Sequence, residues 1–242
     1  MQASIFITCI CDNFYPEVVK SMERILKKQG VTLDCPMEQT CCGQPAFNTG
    51  YWEDAKAVGK TLLDAFKDSK YVIAPSGSCV MMIKEYYPLL FKNDQKYQPL
   101  VNELSKKTYE FTQFLVDVLK VKDLNRYFPH RVTYHPSCHG TRFLGVKESV
   151  HTLLKHVKDM DYVELPHGEM CCGFGGTFSI KMPQISQAMV DEKIDHIIET
   201  QADFVTGIDM GCLMNIQGRL EKRNIKTRAI HIAQLLDEEA KL

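Results

Sequence analysis

The sequence predicts an α/β protein built from two repeated Rossmann-like βαβ units, each with a short parallel sheet flanked by helices. Short β-branched runs alternate along the chain with amphipathic stretches of about 12–18 residues, which is the pattern of parallel βαβ units. The second half also restates the first, with a repeat of about 130 residues. Helices are predicted over residues 16–29, 51–68, 79–92, 105–120, 146–157, 178–200, 212–223 and 231–240.

Four cysteines recur in the same order in the two copies. Each copy opens with an apolar run that leads to one cysteine, reaches a Cys-Cys-Gly element after a second run, and places one more cysteine after a third run. The separations agree, with 32 and 33 positions from the first cysteine to the second and 37 and 40 from the third to the fourth. The matched sets are Cys9, Cys41, Cys42 and Cys79 in the first copy and Cys138, Cys171, Cys172 and Cys212 in the second.

The repeat also predicts how the chain divides. Residues 1–122 are expected to form the first unit and residues 128–242 the second. The segment between the copies, residues 93–130, is rich in Lys and Asp and has a helical pattern from Lys106 to Lys120. We therefore expect a bridging helix at the end of the first unit, followed by a linker.

Composition argues against several classes of function. The 242 residues include 29 basic and 30 acidic side chains, so the chain lacks the basic field that a nucleic-acid partner requires. Charged residues interrupt its apolar runs before the ~20 residues of a membrane span, and no direct membrane insertion is expected. The first residues do not follow a secretory signal pattern, so a cytoplasmic protein is expected. In that reducing compartment, ten cysteines indicate metal or redox chemistry.

The placement of these cysteines suits a multinuclear metal site. Ligands of parallel α/β sheets collect beyond the carboxyl ends of the strands, where the single cysteines of each copy fall. Neighbouring Cα atoms are ~3.8 Å apart, which is awkward for two thiolates on one ion and natural for two irons of one cluster. A glycine follows each pair, Gly43 and Gly173, and permits a turn with positive φ that aims N–H groups at a cluster. Two sites of four thiolates are expected.

Four segments of the chain match a known family: residues 14–17 (Phe-Tyr-Pro-Glu), residues 39–46 (Gln-Thr-Cys-Cys-Gly-Gln-Pro-Ala) with Asn48 and Gly50, residues 135–140 (His-Pro-Ser-Cys-His-Gly) and residues 171–176 (Cys-Cys-Gly-Phe-Gly-Gly). Through them, nearly the whole chain resembles the cysteine-rich CCG-domain family, which includes the B-type component of heterodisulfide reductase and the iron–sulfur subunits of glycolate and lactate oxidation. Within that family, the sequence is most similar to the lactate utilisation protein A and glycolate oxidase iron–sulfur subunit groups.

The resemblance implies an iron–sulfur electron-transfer subunit of a complex that oxidises L-lactate, or a related 2-hydroxy acid such as glycolate, to the keto acid. It implies two partners, a ferredoxin-type iron–sulfur subunit and a third lactate-utilisation subunit. The sequence has no ferredoxin-type run of closely spaced cysteines and no dinucleotide-binding fingerprint. We therefore expect a subunit that does not oxidise the substrate alone.

The resemblance also bears on the cofactor. In the heterodisulfide reductase branch, a fifth cysteine in each copy completes a noncubane cluster, whereas Met82 and Asn215 occupy those positions here. Four cysteines per copy are what an ordinary 4Fe–4S cluster takes. One or two 4Fe–4S clusters are expected, with the second copy favoured for iron, and zinc is the alternative in the first copy.

Other residues near the cysteines are expected to support the ligands. His135 and His139 flank Cys138 and are predicted to act by hydrogen bonding, in surroundings that also include Gly173, Asn215 and Met82. Cys11 and Cys35 have no counterpart in the second copy and are predicted to be spare thiols, with Cys11 as a fifth ligand the less favoured alternative.

Two further functions stay open at this stage. One is a thiol–disulfide oxidoreductase of the heterodisulfide reductase B type, which requires an open iron. The other is a scaffold for protein interaction that zinc stabilises, because four thiolates also satisfy a zinc ion.

Overall fold

Two parallel four-stranded sheets organise the protein, for which the structure, a computed structural model, describes residues 1–241. The strands are β1 (Gln2–Ile5), β2 (Thr32–Asp34), β3 (Val72–Ala74), β4 (Thr108–Glu110), β5 (Arg131–Tyr134), β6 (Asp161–Val163), β7 (Phe204–Gly207) and β8 (Arg228–His231). The two sheets have equivalent strand orders, β2-β1-β3-β4 and β6-β5-β7-β8. The predicted α/β class and its duplication are confirmed.

Strand register gives the residue-by-residue correspondence of the two halves. Ser4 of β1 lies beside Val72 of β3, and Thr133 of β5 lies beside Val205 of β7. Two residues further on, the N–H of Phe6 donates to the carbonyl of Ile73 at 2.9 Å, and the N–H of His135 donates to that of Thr206 at 2.8 Å. Phe6 and His135 therefore occupy equivalent positions.

Helices cover both sheets and carry the buried apolar faces that the sequence pattern predicts. In the helix Pro16–Lys28 of the first half, residues at helical spacing are buried while lysines and glutamates face solvent. The helices of the first half are α1 (Cys9–Phe14), α2 (Pro16–Lys28), α3 (Gln44–Asn48), α4 (Trp52–Phe66), α5 (Gly77–Met81), α6 (Tyr87–Leu90), α7 (Gln98–Lys107) and α8 (Phe111–Gln113). Those of the second half are α9 (Cys138–Arg142), α10 (Lys147–Leu154), α11 (Phe178–Lys181), α12 (Pro183–Glu199), α13 (Met210–Lys222) and α14 (Ile232–Leu236). Segments Met82–Tyr86 and Phe114–Val118 are π-helical.

The prediction of a bridging helix over residues 105–120 is wrong. Helix α7 ends at Lys107, where the hydroxyl of Thr108 donates to the carbonyl of Leu104, and the next three residues form β4. Pairing with Val72 and its neighbours in β3 outweighs the helical periodicity, and the β-branched and aromatic residues Thr108 and Tyr109 favour it. This segment completes the first sheet.

Two other predicted helices have different bounds. The helix predicted over residues 178–200 is split at Met182, because Pro183 begins a new helix and its ring blocks continuation of the first. The helix predicted over residues 231–240 is short, since Arg228–His231 form strand β8 and the helix ends at Leu236. The division at residues 122 and 128 stays a prediction.

The two halves share one apolar core. Helix α14 of the second half packs on α2 of the first, and α8 with the following π-helical turn packs on α10 of the second. Ile25, Phe114, Val150 and Leu235 all belong to this common core cluster. Each half therefore covers an apolar helix face of the other. Among the described residues, no helix is long and apolar enough to cross a membrane.

Candidate metal centres in a shared cleft

The single cysteines lie at the carboxyl ends of the central strands. Cys9 and Cys138 are the first residues of α1 and α9, which follow β1 and β5. Cys79 and Cys212 lie in the first turns of α5 and α13, which follow β3 and β7. Because both sheets are parallel, these ends fall together, as the sequence predicts for ligands of such sheets.

Each Cys-Cys-Gly element forms the same tight turn. Gly43 and Gly173 have φ values of +81° and +80°, and their N–H groups donate to Cys41 Sγ and Cys171 Sγ, each at 3.4 Å. A Cβ atom on Gly43 would lie 3.1 Å from the carbonyl oxygen of Ala55, and one on Gly173 would lie 2.7 Å from that of Ser186. Both the backbone conformation and the close helix therefore require glycine.

The thiols of each half converge. In the first half, Cys9 Sγ lies 3.6 Å from Cys41 Sγ, and Cys42 Sγ lies 3.5 Å from Cys79 Sγ. In the second half, the ligand atoms of Cys172, Cys212 and His135 lie within 4.8 Å of one another. Cys172 and Cys212 are buried, whereas Cys138 and Cys171 are partly exposed. The structure thus brings together the four thiols of each predicted set.

Hydrogen bonds among the thiols lower the pKa of one cysteine in each half. The pKa of Cys171 is lowered because the thiols of Cys138 and Cys172, and then the N–H of Gly173, donate to its sulfur. The pKa of Cys41 in the first half is lowered in the same way, by hydrogen bonds from Cys42 and Cys9. The first cysteine of each adjacent pair is therefore the thiolate that forms most readily, which is the form that binds metals.

In each half, one side chain donates a hydrogen bond to the carbonyl group of the second cysteine of the adjacent pair. The Tyr87 hydroxyl donates to the Cys42 carbonyl at 2.9 Å, and Asn215 Nδ2 donates to the Cys172 carbonyl at 2.8 Å. Asn215 thus anchors the turn. Met82, at the equivalent position of the first half, is fully buried beside Cys42 and Cys79 in the apolar core.

The two histidines next to Cys138 differ in their surroundings. His135 is 1% exposed, and neither of its ring nitrogens has a hydrogen-bond partner among residues 1–241. Burial, and then the charge of Lys193, lower its pKa to about 3, so the ring is neutral. His139 lines the open cleft, where burial also lowers its pKa.

Lys193 is a residue near the site that the sequence analysis missed. Its side chain is fully buried, and its ammonium group donates to the carbonyls of His167 and Gly168 at 3.2 and 2.8 Å. The signal in the sequence is its position on α12, between Val190 and Ile197 on the apolar face, where a lysine is unexpected.

The two cysteines without counterparts are not among the converging thiols. Cys11 is fully buried in the core that both halves share. Cys35 is exposed, and Gln39 Nε2 lies 3.2 Å from its sulfur. Within the described chain neither of them forms a disulfide.

Both thiol sets open onto one cleft between the halves. Its volume is about 490 Å³, and its walls include cysteines of both sets together with Ser78, His139, Thr177 and Asp209. The exposed side chains of Phe14 and Ile180 also line it, at 68% and 79% exposure. A partner at this cleft therefore reaches both sites.

The donor sets fit a thiolate-bound metal group. Four thiolates match either a four-iron cluster or one zinc ion. Zinc–sulfur bonds of about 2.3 Å give a tetrahedral edge of about 3.8 Å, close to the 3.5 and 3.6 Å separations in the first half. In the second half, neither ring nitrogen of His135 has a partner among residues 1–241, and its one N–H could donate to a cluster sulfide, which a zinc site does not need.

Two sheets that each gather four thiols at a common cleft define a duplicated cysteine-rich protein with two candidate metal centres. The family model for the CCG cysteine-rich domain matches residues 3–84 and 132–217. Lactate utilization protein A of Oceanobacillus iheyensis is 53% identical over 237 residues, covering 98% of this chain and 97% of that relative. Lactate utilization protein A 1 of Bacillus mycoides is 50% identical over 241 residues, covering 100% and 98%. The chain therefore belongs to the CCG cysteine-rich family, in the group of relatives named lactate utilization protein A.

A solved structure supports the fold independently. The crystal structure of a hypothetical protein from Helicobacter pylori matches with a TM-score of 0.68 at 14% identity. The match covers 100% of this chain and 49% of the other. At this identity the likeness concerns the fold alone.

Proposed function

We propose that this chain is the iron–sulfur electron-transfer subunit of a cytoplasmic complex that oxidises L-lactate, or a related 2-hydroxy acid such as glycolate, to the keto acid. The observation that carries the proposal is the convergence of two four-thiol sets on one cleft. The names of the relatives, which are 53% and 50% identical over nearly their whole length, support lactate as the substrate of the complex.

The second half is the proposed site of a 4Fe–4S cluster, bound by Cys138, Cys171, Cys172 and Cys212. Such a cluster supplies one-electron transfer when it is bound. The chain's own residues hold the ligands, since Asn215 fixes the carbonyl of Cys172 and Gly173 turns the backbone and donates to Cys171. Burial of Cys172 and Cys212 keeps water from the inner side of the site.

The first half, with Cys9, Cys41, Cys42 and Cys79, is proposed to hold either a second 4Fe–4S cluster or a zinc ion. A zinc ion would hold the four thiolates without redox chemistry, and the sulfur separations of 3.5 and 3.6 Å do not distinguish the two groups, because the thiols of both halves are hydrogen-bonded to one another. Two clusters would instead accept the two electrons that oxidation of a hydroxy acid releases. Metal analysis separates these forms.

The proposed partners are a ferredoxin-type iron–sulfur subunit and a third lactate-utilisation subunit. A hydroxy acid loses a hydride equivalent, and thiolate-bound clusters accept single electrons, so another subunit has to divide the pair. The exposed apolar side chains Phe14 and Ile180 at the cleft offer contact area for such a subunit.

The experiment is anaerobic EPR of the chain with and without its two proposed partners. In the assembled complex, lactate should reduce a cluster of this chain and so produce the EPR signal of the reduced cluster. In the isolated chain, lactate should leave the cluster oxidised and the signal absent. The Cys172→Ser variant should lose that signal, while Cys35→Ser, which removes an exposed thiol outside both sets, should keep it. Lactate-dependent electron transfer that survives Cys172→Ser would contradict the proposal.

A further inference from the structure

The two thiol sites differ in what lies behind them. Strand register makes Phe6 and His135 equivalent. Gly43 lies against the Ala55 carbonyl in α4, and Gly173 lies against the Ser186 carbonyl in α12. Ala55 and Ser186 are therefore equivalent positions, and this sets the residue correspondence of the two helices. Seven residues further along, Leu62 of α4 corresponds to Lys193 of α12.

In the first half, both positions are apolar. Phe6 and Leu62 are fully buried, and Phe6 packs against Phe66 with ring centroids 5.7 Å apart. They belong to the same core cluster as Cys42 and Cys79. Phe6 and Leu62 therefore offer neither charge nor a hydrogen-bond donor to the first site.

In the second half, both positions are polar and equally buried. His135 and Lys193 are 1% and 0% exposed. A ring nitrogen of His135 lies within 4.8 Å of the sulfurs of Cys172 and Cys212, and neither nitrogen has a partner in residues 1–241. A buried N–H without an acceptor costs about 1–3 kcal/mol, so this placement calls for an acceptor at the site.

Lys193 brings a buried cation to the same place. Its helix neighbours Val190 and Ile194 pack in one cluster with Cys172 and Cys212. Burial lowers the pKa of Lys193 to about 8, against the opposing effect of the nearby Cys172, Cys171 and Cys212. Its two hydrogen bonds, to the carbonyls of His167 and Gly168, fix the ammonium group beside the loop that leads to Cys171.

We propose that Lys193 and His135 raise the reduction potential of the cluster in the second half, and so make that half the electron-accepting site of the chain. Reduction adds one negative charge to a thiolate-bound cluster, and a buried cation and an N–H donor stabilise that charge more than water-exposed groups do. One electron passes from the reduced ferredoxin-type partner, which is oxidised by one electron. No bond forms and no proton moves. The inference rests on the proposed function.

The experiment is an anaerobic redox titration of the intact chain, followed by EPR, with iron content measured on every sample. Lys193→Met removes the charge at similar length, and His135→Phe places in the second half the side chain that the first half has. Each variant should lower the midpoint potential of the second cluster by about 59 mV or more, which corresponds to at least a tenfold change in the one-electron reduction equilibrium. Leu62→Met, the matched change in the first half, should leave the midpoint potential of the second cluster unaltered. Lys193→Arg keeps the positive charge and should keep a potential close to that of the wild type.

The outcomes separate this inference from the function on which it rests. If the second half binds iron and neither Lys193→Met nor His135→Phe shifts the midpoint, the inference is overturned and the proposed function stands. If the second half of the wild-type chain binds no iron, both fail. If Lys193→Met loses iron because its carbonyl contacts are gone, His135→Phe decides, since it leaves Lys193 in place.

Discussion

Asp209 of the second half accepts a hydrogen bond from the main-chain N–H of Ser78 in the first half, with 2.9 Å between the nitrogen and Oδ2. Its other oxygen, Oδ1, accepts from the N–H of Gly211 at 3.2 Å and caps α13. Ser78 belongs to α5, so one carboxylate joins the first turns of the two helices that carry Cys79 and Cys212. The two sites are therefore held at a fixed separation.

Replacement of Asp209 by Ala should destabilise the protein by about 1–3 kcal/mol, because it removes a helix cap and leaves the Ser78 N–H unpaired. For a chain of this length, each kcal/mol lowers the melting temperature by about 2–4 °C. Thermal unfolding followed by circular dichroism measures the change. Asp209→Asn keeps an acceptor oxygen and should lose less, and equal melting of the Ala variant and wild type would contradict this role.

Gly173→Ala should destabilise the second site more than Gly43→Ala destabilises the first. Both force a side chain into positive φ, at about 1–2 kcal/mol, but the new Cβ meets a carbonyl oxygen at 2.7 Å in the second half and 3.1 Å in the first. Iron content and urea unfolding report the effect. Gly218→Ala is the matched control, since Gly218 lies inside α13 with nothing within 4 Å and should gain about 0.5–1 kcal/mol. Comparable losses at all three glycines would refute the steric argument.

The two halves should not fold separately, although the repeat predicts a division of the chain at residues 122 and 128. Residues 1–122 alone would expose the face of α2 that α14 covers, and residues 128–242 alone would expose the face of α10 that α8 covers. Arg24 in α2 also donates to the buried Asp237 beyond α14, with Nε 2.8 Å from Oδ2. Each fragment alone should be digested rapidly by protease, and mixing the two should restore protection. A fragment with cooperative unfolding of its own would show that the shared core is dispensable.

His231 should make the protein less stable as the pH falls from about 6.5 to 4. Burial lowers the pKa of His231 to about 4, so the unfolded chain binds a proton in this range and the folded chain does not. The contribution of neutral His231 to the free energy of unfolding is fully present above pH 6.5, and up to about 3 kcal/mol of it is lost by pH 4. Glu110, whose pKa burial raises to about 7, acts in the opposite sense. The contribution of His231 is therefore read from a comparison of variants.

The comparison is between wild type and His231→Asn in urea unfolding at several pH values. Asn also caps helices and does not titrate, so it should keep the α14 cap that His231 forms through Nδ1 and the N–H of Ala233, at 3.1 Å. The stability difference between the two proteins should change by up to about 3 kcal/mol in favour of Asn as the pH drops. Parallel curves would mean that His231 titrates normally in the folded protein.

The thiol sets and the fold class could be predicted because the spacing of cysteines and apolar runs along the sequence reveals the repeat. The matched separations of Cys9, Cys42, Cys138 and Cys172 from their partners place each thiol after a strand, and parallel sheets bring those ends together. The positive φ of Gly43 and Gly173 follows from the same reasoning, since a side chain cannot enter that conformation cheaply.

Other features depend on tertiary contacts that local sequence does not encode. Strand β4 lies in a lysine-rich helical pattern, and only pairing with β3 makes Thr108–Glu110 extended. The packing of α8 on α10 and of α14 on α2 depends on which apolar helix faces meet in the folded protein. The apolar face of α12 marks Lys193 as unusual, but its equivalence to Leu62 and its closeness to the second thiol set appear only in the folded structure.

Metal and sulfide analysis of anaerobically purified protein tests whether the second half binds an iron–sulfur cluster through four cysteines. We expect about four irons and four sulfides in the second half, and about eight of each in the chain if the first half holds a cluster too. Cys172→Ser should remove the iron of the second half, and Cys42→Ser should remove only the metal of the first. Stoichiometric zinc in both halves, with no iron or sulfide, would show that the second half does not bind a cluster.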